Sequence, residues 1–154
     1  AVELPLMRSQ NPKLPEAKKS EATARFSNLR VLLVEDNPSN AFLGMEILMK
    51  MGCQAKTAEN AAQGLILWGK EEFDLLLIDI QMPEMNGIEM LKVIRSKEAD
   101  LNKKHQPAIA LTAHALEGNK EMYRTVGFDG YVSKPMDMEI LAKEINEALK
   151  TLRI

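Results

Sequence analysis

Five short apolar runs, each followed by a longer amphipathic stretch, set the tightest limit on what this chain can become. RVLLV (30–34), DLLLI (74–78) and PAIAL (107–111) are apolar without alternation, as strands covered on both faces must be. CQAKTA (53–58) and GYVSK (130–134) are weaker runs that complete the set. Helices are predicted over residues 39–51, 61–71, 87–97, 115–126 and 138–152, with Gly52 and Gly127 where C-caps belong. Five strand-helix units in about 125 residues make an open, doubly wound parallel α/β sheet, since a closed eight-unit barrel needs roughly twice that length.

Composition narrows the function classes. The chain has 154 residues, 45% hydrophobic and 27% charged, enough for one domain of this type, expected over residues 29–154. Twenty Lys and Arg against 22 Asp and Glu leave a net charge of -2, without the basic excess of a nucleic-acid binder. Cys53, the one cysteine, can build neither a disulfide framework nor a zinc quartet. No run approaches the roughly 18 apolar residues of a membrane span, and the start lacks the apolar stretch of a secretory leader. A cytoplasmic fragment without membrane contact is the expectation. Residues 1–28 hold three of the seven prolines and no sustained periodicity, which reads as a linker or flexible tail, with a cloned overhang as the alternative.

Ligands of open parallel sheets bind beyond the carboxyl ends of the strands, where the strand order reverses. The residues after each apolar run are therefore the candidates for chemistry: Glu35 and Asp36 after the first, Asp79 after the third, Thr112 after the fourth and Lys134 in the fifth. In a flavodoxin-like order 2-1-3-4-5 the first and third strands are neighbours, which brings three carboxylates together. Such a cluster calls for a hard divalent cation, and Mg²⁺ suits a few carboxylates, a carbonyl and waters. With Asp36, Asp79 and Glu35 around the metal, one Asp79 oxygen is left as a nucleophile toward phosphorus. Lys134 and Thr112 supply an ammonium and a hydroxyl for the phosphoryl oxygens. Taken singly, Asp36 could equally cap the helix that begins after Asn37 and Pro38, and Thr112 and Lys134 could be ordinary strand-end residues.

The segments VLLVEDNPSN, LLLIDIQMPEMNGIEML, ALTAHA and GFDGYVSKP together resemble, in order and spacing, the receiver domains of two-component response regulators. The resemblance implies the flavodoxin-like fold, Asp79 as phosphoacceptor, and Mg²⁺ on Glu35, Asp36, Asp79 and the backbone carbonyl of Gln81. It implies that Thr112 and Lys134 contact the phosphoryl group, that Thr112 and Tyr131 form a switch, and that Lys134-Pro135 is a cis peptide. Such a domain promotes its own phosphorylation and dephosphorylation, taking the phosphoryl group from a phosphohistidine on a histidine kinase or a histidine phosphotransfer protein. ALTAHA and VEDNPSN look most like receivers of hybrid sensor histidine kinases, and AVELPL resembles the last strand of a kinase ATP-binding domain. The chain is accordingly read as the C-terminal receiver of such a kinase, whose own anchoring in the inner membrane is left open, and output is expected through contact with partners. Neither His105 nor His114 stands in a phosphoacceptor-helix context. Asn86 replaces the more common Asp of the MPxMDG loop, and Gln81 and His114 occupy the positions that tune acyl-phosphate hydrolysis.

The first helix offers a candidate docking surface. Leu43, Ile47 and Met51 are expected to face the sheet, leaving Phe42, Met45 and Met49 as a second stripe for a helical partner or as part of one wide buried face. Rival readings are a stand-alone single-domain regulator, a Mg-dependent aspartyl-phosphate phosphatase of the haloacid-dehalogenase type, a nucleotide- or flavin-binding module, and a receiver that has lost phosphorylation. The phosphatase needs a carboxylate two residues after its aspartate, where this chain has Gln81. A nucleotide cradle after the first strand would meet the repelling Glu35 and Asp36.

Overall fold

A computed structural model describes residues 26–113 and 117–150, with the backbone alone at 117–120. Residues 1–25, His114 and the last residues of the final predicted helix lie outside the described residues. Five strands alternate with five helices: β1 (Arg30–Val34), α1 (Pro38–Lys50), β2 (Gln54–Ala58), α2 (Ala61–Lys70), β3 (Leu75–Asp79), α3 (Gly87–Asp100), β4 (Ala108–Thr112), α4 (Glu117–Val126), β5 (Gly130–Ser133) and α5 (Met138–Lys150). The strands are all parallel, in the expected order β2-β1-β3-β4-β5.

The unbroken apolar runs have a simple cause. Leu32, Val34, Leu76, Ile78, Ala108 and Ala110 pack on one face of the sheet with Trp68 of α2, Leu91 and Ile94 of α3 and Tyr123 of α4. Their sequence neighbours Val31, Leu33, Leu75, Leu77, Ile109 and Leu111 pack on the other with Leu48 of α1 and Ile145 of α5. Alternate side chains of a strand point to opposite faces, so a strand covered twice must be apolar at every position. The edge strand β2, QAKTA, pairs only with β1 and buries only Ala58, which is why its run is weak.

Helix ends follow local chemistry. Gly52 and Gly127 have positive φ, and the amides that follow fold back onto the helices, Cys53 N to Leu48 O and Phe128 N to Tyr123 O. Phe26, inside the segment read as linker, is buried among the α1 and α5 layer, and the carbonyl of Phe26 accepts a hydrogen bond from the amide of Leu29.

Helix α1 corrects one expectation. Leu43 does not face the sheet; it is 40% exposed, and the inward stripe is Gly44, Ile47, Leu48 and Met51. A side chain at Gly44 would collide with Leu33 and Met136, so the helix sits close to β1 through its glycine and turns Leu43 outward. Leu48→Ala should lower unfolding stability by about 2–5 kcal/mol and Leu43→Ala by less than about 1 kcal/mol, as read from urea denaturation midpoints.

Candidate functional site

The rim beyond the strand carboxyl ends gathers residues far apart in sequence. Val34 pairs with Ile78 across β1 and β3, so Glu35 and Asp36 emerge beside Asp79. Thr112 ends β4, and Lys134 follows β5 directly and precedes the cis Lys134-Pro135 bond. Asp36 does not cap α1. The N-cap is Asn37, whose side chain accepts from the amide of Asn40, with Pro38 in the first turn; Asp36 is thereby left exposed at the rim.

Behind Asp79 the entry to α3 is closely packed. Asn86 and Glu89 form a reciprocal capping box, and a side chain at Gly87 would collide with the Asp79 carbonyl oxygen. Only glycine lets α3 begin this near the end of β3. Asn86 thus has a definite structural task at the position where the related loops more often carry Asp.

Oxygens of Glu35, Asp36 and Asp79 lie within 4.8 Å of one another. Lys134 Nζ stands 3.0 Å from Asp79 Oδ1 and 3.5 Å from Glu35 Oε1. The Gln81 amide donates to Asp79 Oδ1 at 3.1 Å, and the Asn37 amide donates to Glu35 Oε2 at 3.2 Å. Asp79 Oδ2, by contrast, is buried without a hydrogen-bond partner. A bare carboxylate oxygen in a buried site is costly unless a ligand uses it.

The charges perturb one another. Burial first, then a hydrogen bond with Asp79 and its repulsion, push the Glu35 carboxyl up to about 7, against the lowering pull of the Asn37 amide and Lys134. Burial opposes the Lys134 ammonium, but the hydrogen bond and attraction of Asp79, followed by those of Glu35, outweigh it and hold Lys134 above the ordinary lysine value. Three hard oxygen donors beside one ammonium fit a small divalent ion of the Mg²⁺ kind.

Thr112 is buried, and its Oγ1 accepts a hydrogen bond from the Tyr123 hydroxyl at 3.0 Å. The Tyr123 ring lies 6.1 Å from that of half-buried Tyr131 and edge-on to Phe128 at 6.2 Å. Sequence reasoning missed Tyr123. An aromatic among charged neighbours on a short helix was the available signal, but its hydroxyl partner sits on another element. Of the second stripe on α1, Phe42 and Met49 are 68% and 66% exposed, whereas Met45 is half-buried against the core. The Gln81 side chain is exposed.

Residues 31–146 match the family model of the response regulator receiver domain. The chain belongs to that family. It is 38% identical over 116 residues to the sensor protein GacS of Pseudomonas syringae pv. syringae, covering 75% of this chain and 13% of that protein. It is 34% identical over 119 residues to the polar-differentiation response regulator DivK of Brucella anthropi, covering 77% of this chain and 94% of DivK. Its fold is similar to the chemotaxis protein CheY4 of Vibrio cholerae, with TM-score 0.71, 28% identity, and coverage of 80% of this chain and 100% of CheY4. It is also similar to a Saccharomyces cerevisiae co-crystal of the phosphotransfer protein Ypd1 and the receiver domain of Ssk1, with TM-score 0.72, 28% identity, and coverage of 83% of this chain and 93% of that one. This receiver is a phosphorelay signalling domain, and among its described residues no helix is long and apolar enough to cross a membrane.

A pH dependence follows for the receiver without metal. Glu35 rises from an ordinary 4.5 to about 7, so the folded chain holds a proton that the unfolded chain releases. That stabilisation is complete below the ordinary value and is lost as pH rises through about 7. In EDTA the wild-type melting temperature should fall more steeply over that window than that of Glu35→Gln; equal slopes would contradict the assignment.

Proposed function

We propose that Asp79 accepts a phosphoryl group from a phosphohistidine, with Mg²⁺ held by Glu35, Asp36, Asp79 and the Gln81 backbone carbonyl. The observation that carries this reading is the unpartnered Asp79 Oδ2 beside an Oδ1 already engaged by Lys134 and the Gln81 amide. Oδ2 is the oxygen with an open lone pair, so it forms the bond to phosphorus while the nitrogen-phosphorus bond of the donor breaks and its electron pair returns to the imidazole. When bound, Mg²⁺ neutralises charge on the phosphoryl oxygens and on the carboxylates around it. Lys134 and Thr112 donate to the phosphoryl oxygens. Asp79 exchanges one negative charge for about two, with three new acceptor oxygens. Thr112 is drawn toward them, and Tyr131 turns inward beside it, which switches the surface of α4, β5 and α5 between two packings.

The donor is a histidine kinase or a histidine phosphotransfer protein. The yeast co-crystal, a receiver with a phosphotransfer protein, supports that class of partner. Phe42 and Met49 are exposed on α1, and Phe42 and Met45 line a groove of about 360 Å³ whose other wall includes Glu35 and Asp36. A helical partner seated there would hold its phosphohistidine next to Asp79. We read the chain as the receiver of a cytoplasmic hybrid-kinase segment, supported by the likeness to GacS; DivK, 94% covered, favours a stand-alone regulator as the second reading.

Acetyl phosphate with Mg²⁺ should add about 80 Da to the wild-type chain and nothing to Asp79→Asn, by intact-mass spectrometry. Labelling of both chains, or of neither, would overturn the assignment. Phe42→Ala should slow transfer from a phosphorylated histidine donor by about fivefold or more while leaving acetyl-phosphate labelling unchanged.

A further inference from the structure

We propose that Tyr123 is a positioning residue that restrains Thr112 in the unphosphorylated receiver and so sets how readily the phosphorylated arrangement forms. The inference rests on the role given above to Thr112. Its basis is the bond from the Tyr123 hydroxyl to Thr112 Oγ1 at 3.0 Å, between residues that are both almost fully buried. A phenol is a stronger donor and a poorer acceptor than an aliphatic alcohol, so the proton of this bond belongs to Tyr123 and the accepting lone pair to Thr112. Meanwhile Asp79 Oδ2 has no hydrogen-bond partner, so the Thr112 hydroxyl does not reach that oxygen in this arrangement.

On this proposal the threonine, with few rotamers open to it, reaches a phosphoryl group on Asp79 only by shifting Oγ1 itself, which carries that oxygen away from the Tyr123 hydroxyl. The phenol is then left in a buried site without its acceptor, and a buried donor that loses its partner bears its full desolvation penalty. The penalty falls on the phosphorylated state alone, which makes Tyr123 a bias on the two-state equilibrium. The same ring lies 6.1 Å from Tyr131, so the restraint acts where the second switch residue must move. Tyr123 touches neither Asp79 nor the acid cluster through any hydrogen bond in this structure, and its effect passes through Thr112.

The test uses beryllium fluoride with Mg²⁺, a stable mimic of the phosphoryl group, titrated against the 154-residue chain by following Tyr and Trp fluorescence or amide NMR shifts. Tyr123→Phe keeps the ring and removes the hydroxyl, and should bind the mimic about five- to tenfold more tightly than wild type. In a Thr112→Ala background the same change should have no effect, because the restrained hydroxyl is gone. A residue with a merely structural role would weaken binding on mutation, and would do so with or without Thr112. Weaker or unchanged binding by Tyr123→Phe, or an equal gain in the Thr112→Ala background, overturns the proposal. Tyr123→Leu provides a second chain without the hydroxyl, with melting temperatures recorded alongside to establish folding. Failure of the underlying reading has a separate signature: Asp79→Asn would still bind the mimic, or Thr112→Ala would bind it as well as wild type.

Discussion

Lys134 and Asp79, 3.0 Å apart and joined by neither sequence nor secondary structure, form the contact on which this receiver depends. Three carboxylates at one rim, two of them buried, would repel one another, and among the described residues the Lys134 ammonium is placed to offset them. The offset is incomplete, since the Glu35 carboxyl still rises to about 7 and one Asp79 oxygen stays bare. That residual negative charge suits the rim to a small divalent cation. A fully satisfied cluster would be more stable and chemically inert.

The fold exists to hold that contact under constraint. Parallel pairing of β1 with β3 delivers Glu35, Asp36 and Asp79 to one point, and the α3 entry at Gly87 closes behind Asp79. Helices on both faces exclude water from the strands, so the acids sit at the boundary between a dry interior and solvent, where electrostatic interactions are strong and a ligand can still enter. Caps from Asn37 and from the Asn86 and Glu89 pair relieve the acids of structural duty. On the far side of the rim, the Thr112, Tyr123 and Tyr131 group connects the same site to α4 and β5. One buried hydroxyl, that of Thr112, thus lies between the acid rim and the aromatic pair.

Much of this is legible in the sequence. The strands RVLLV, DLLLI and PAIAL announce themselves because burial on both faces leaves no room for polar residues, and their ends carry the acids and hydroxyl that the rim assembles, while the ammonium follows the weaker run GYVS. The face of α1 was misread at Leu43 because an apolar count passes over glycine, and Gly44 lies inward for the reason that it has no side chain. Asp36 could be read as a cap or as a ligand, and only the Asn37 side chain on the Asn40 amide decides between them. Tyr123 escaped notice because its significance lies in an atom on a different element.

The order of apolar runs and the residue types at their ends determined the architecture and the class of chemistry, because periodicity and burial are properties of local sequence. Distances were not so determined. That Lys134 engages Asp79 Oδ1 and leaves Oδ2 bare, that the same ammonium reaches Glu35, and that Tyr123 claims Thr112 are outcomes of packing between segments 11 to 99 residues apart. A charge or hydroxyl acquires its chemical character from the groups within a few ångströms of it, and only the tertiary structure chooses those groups.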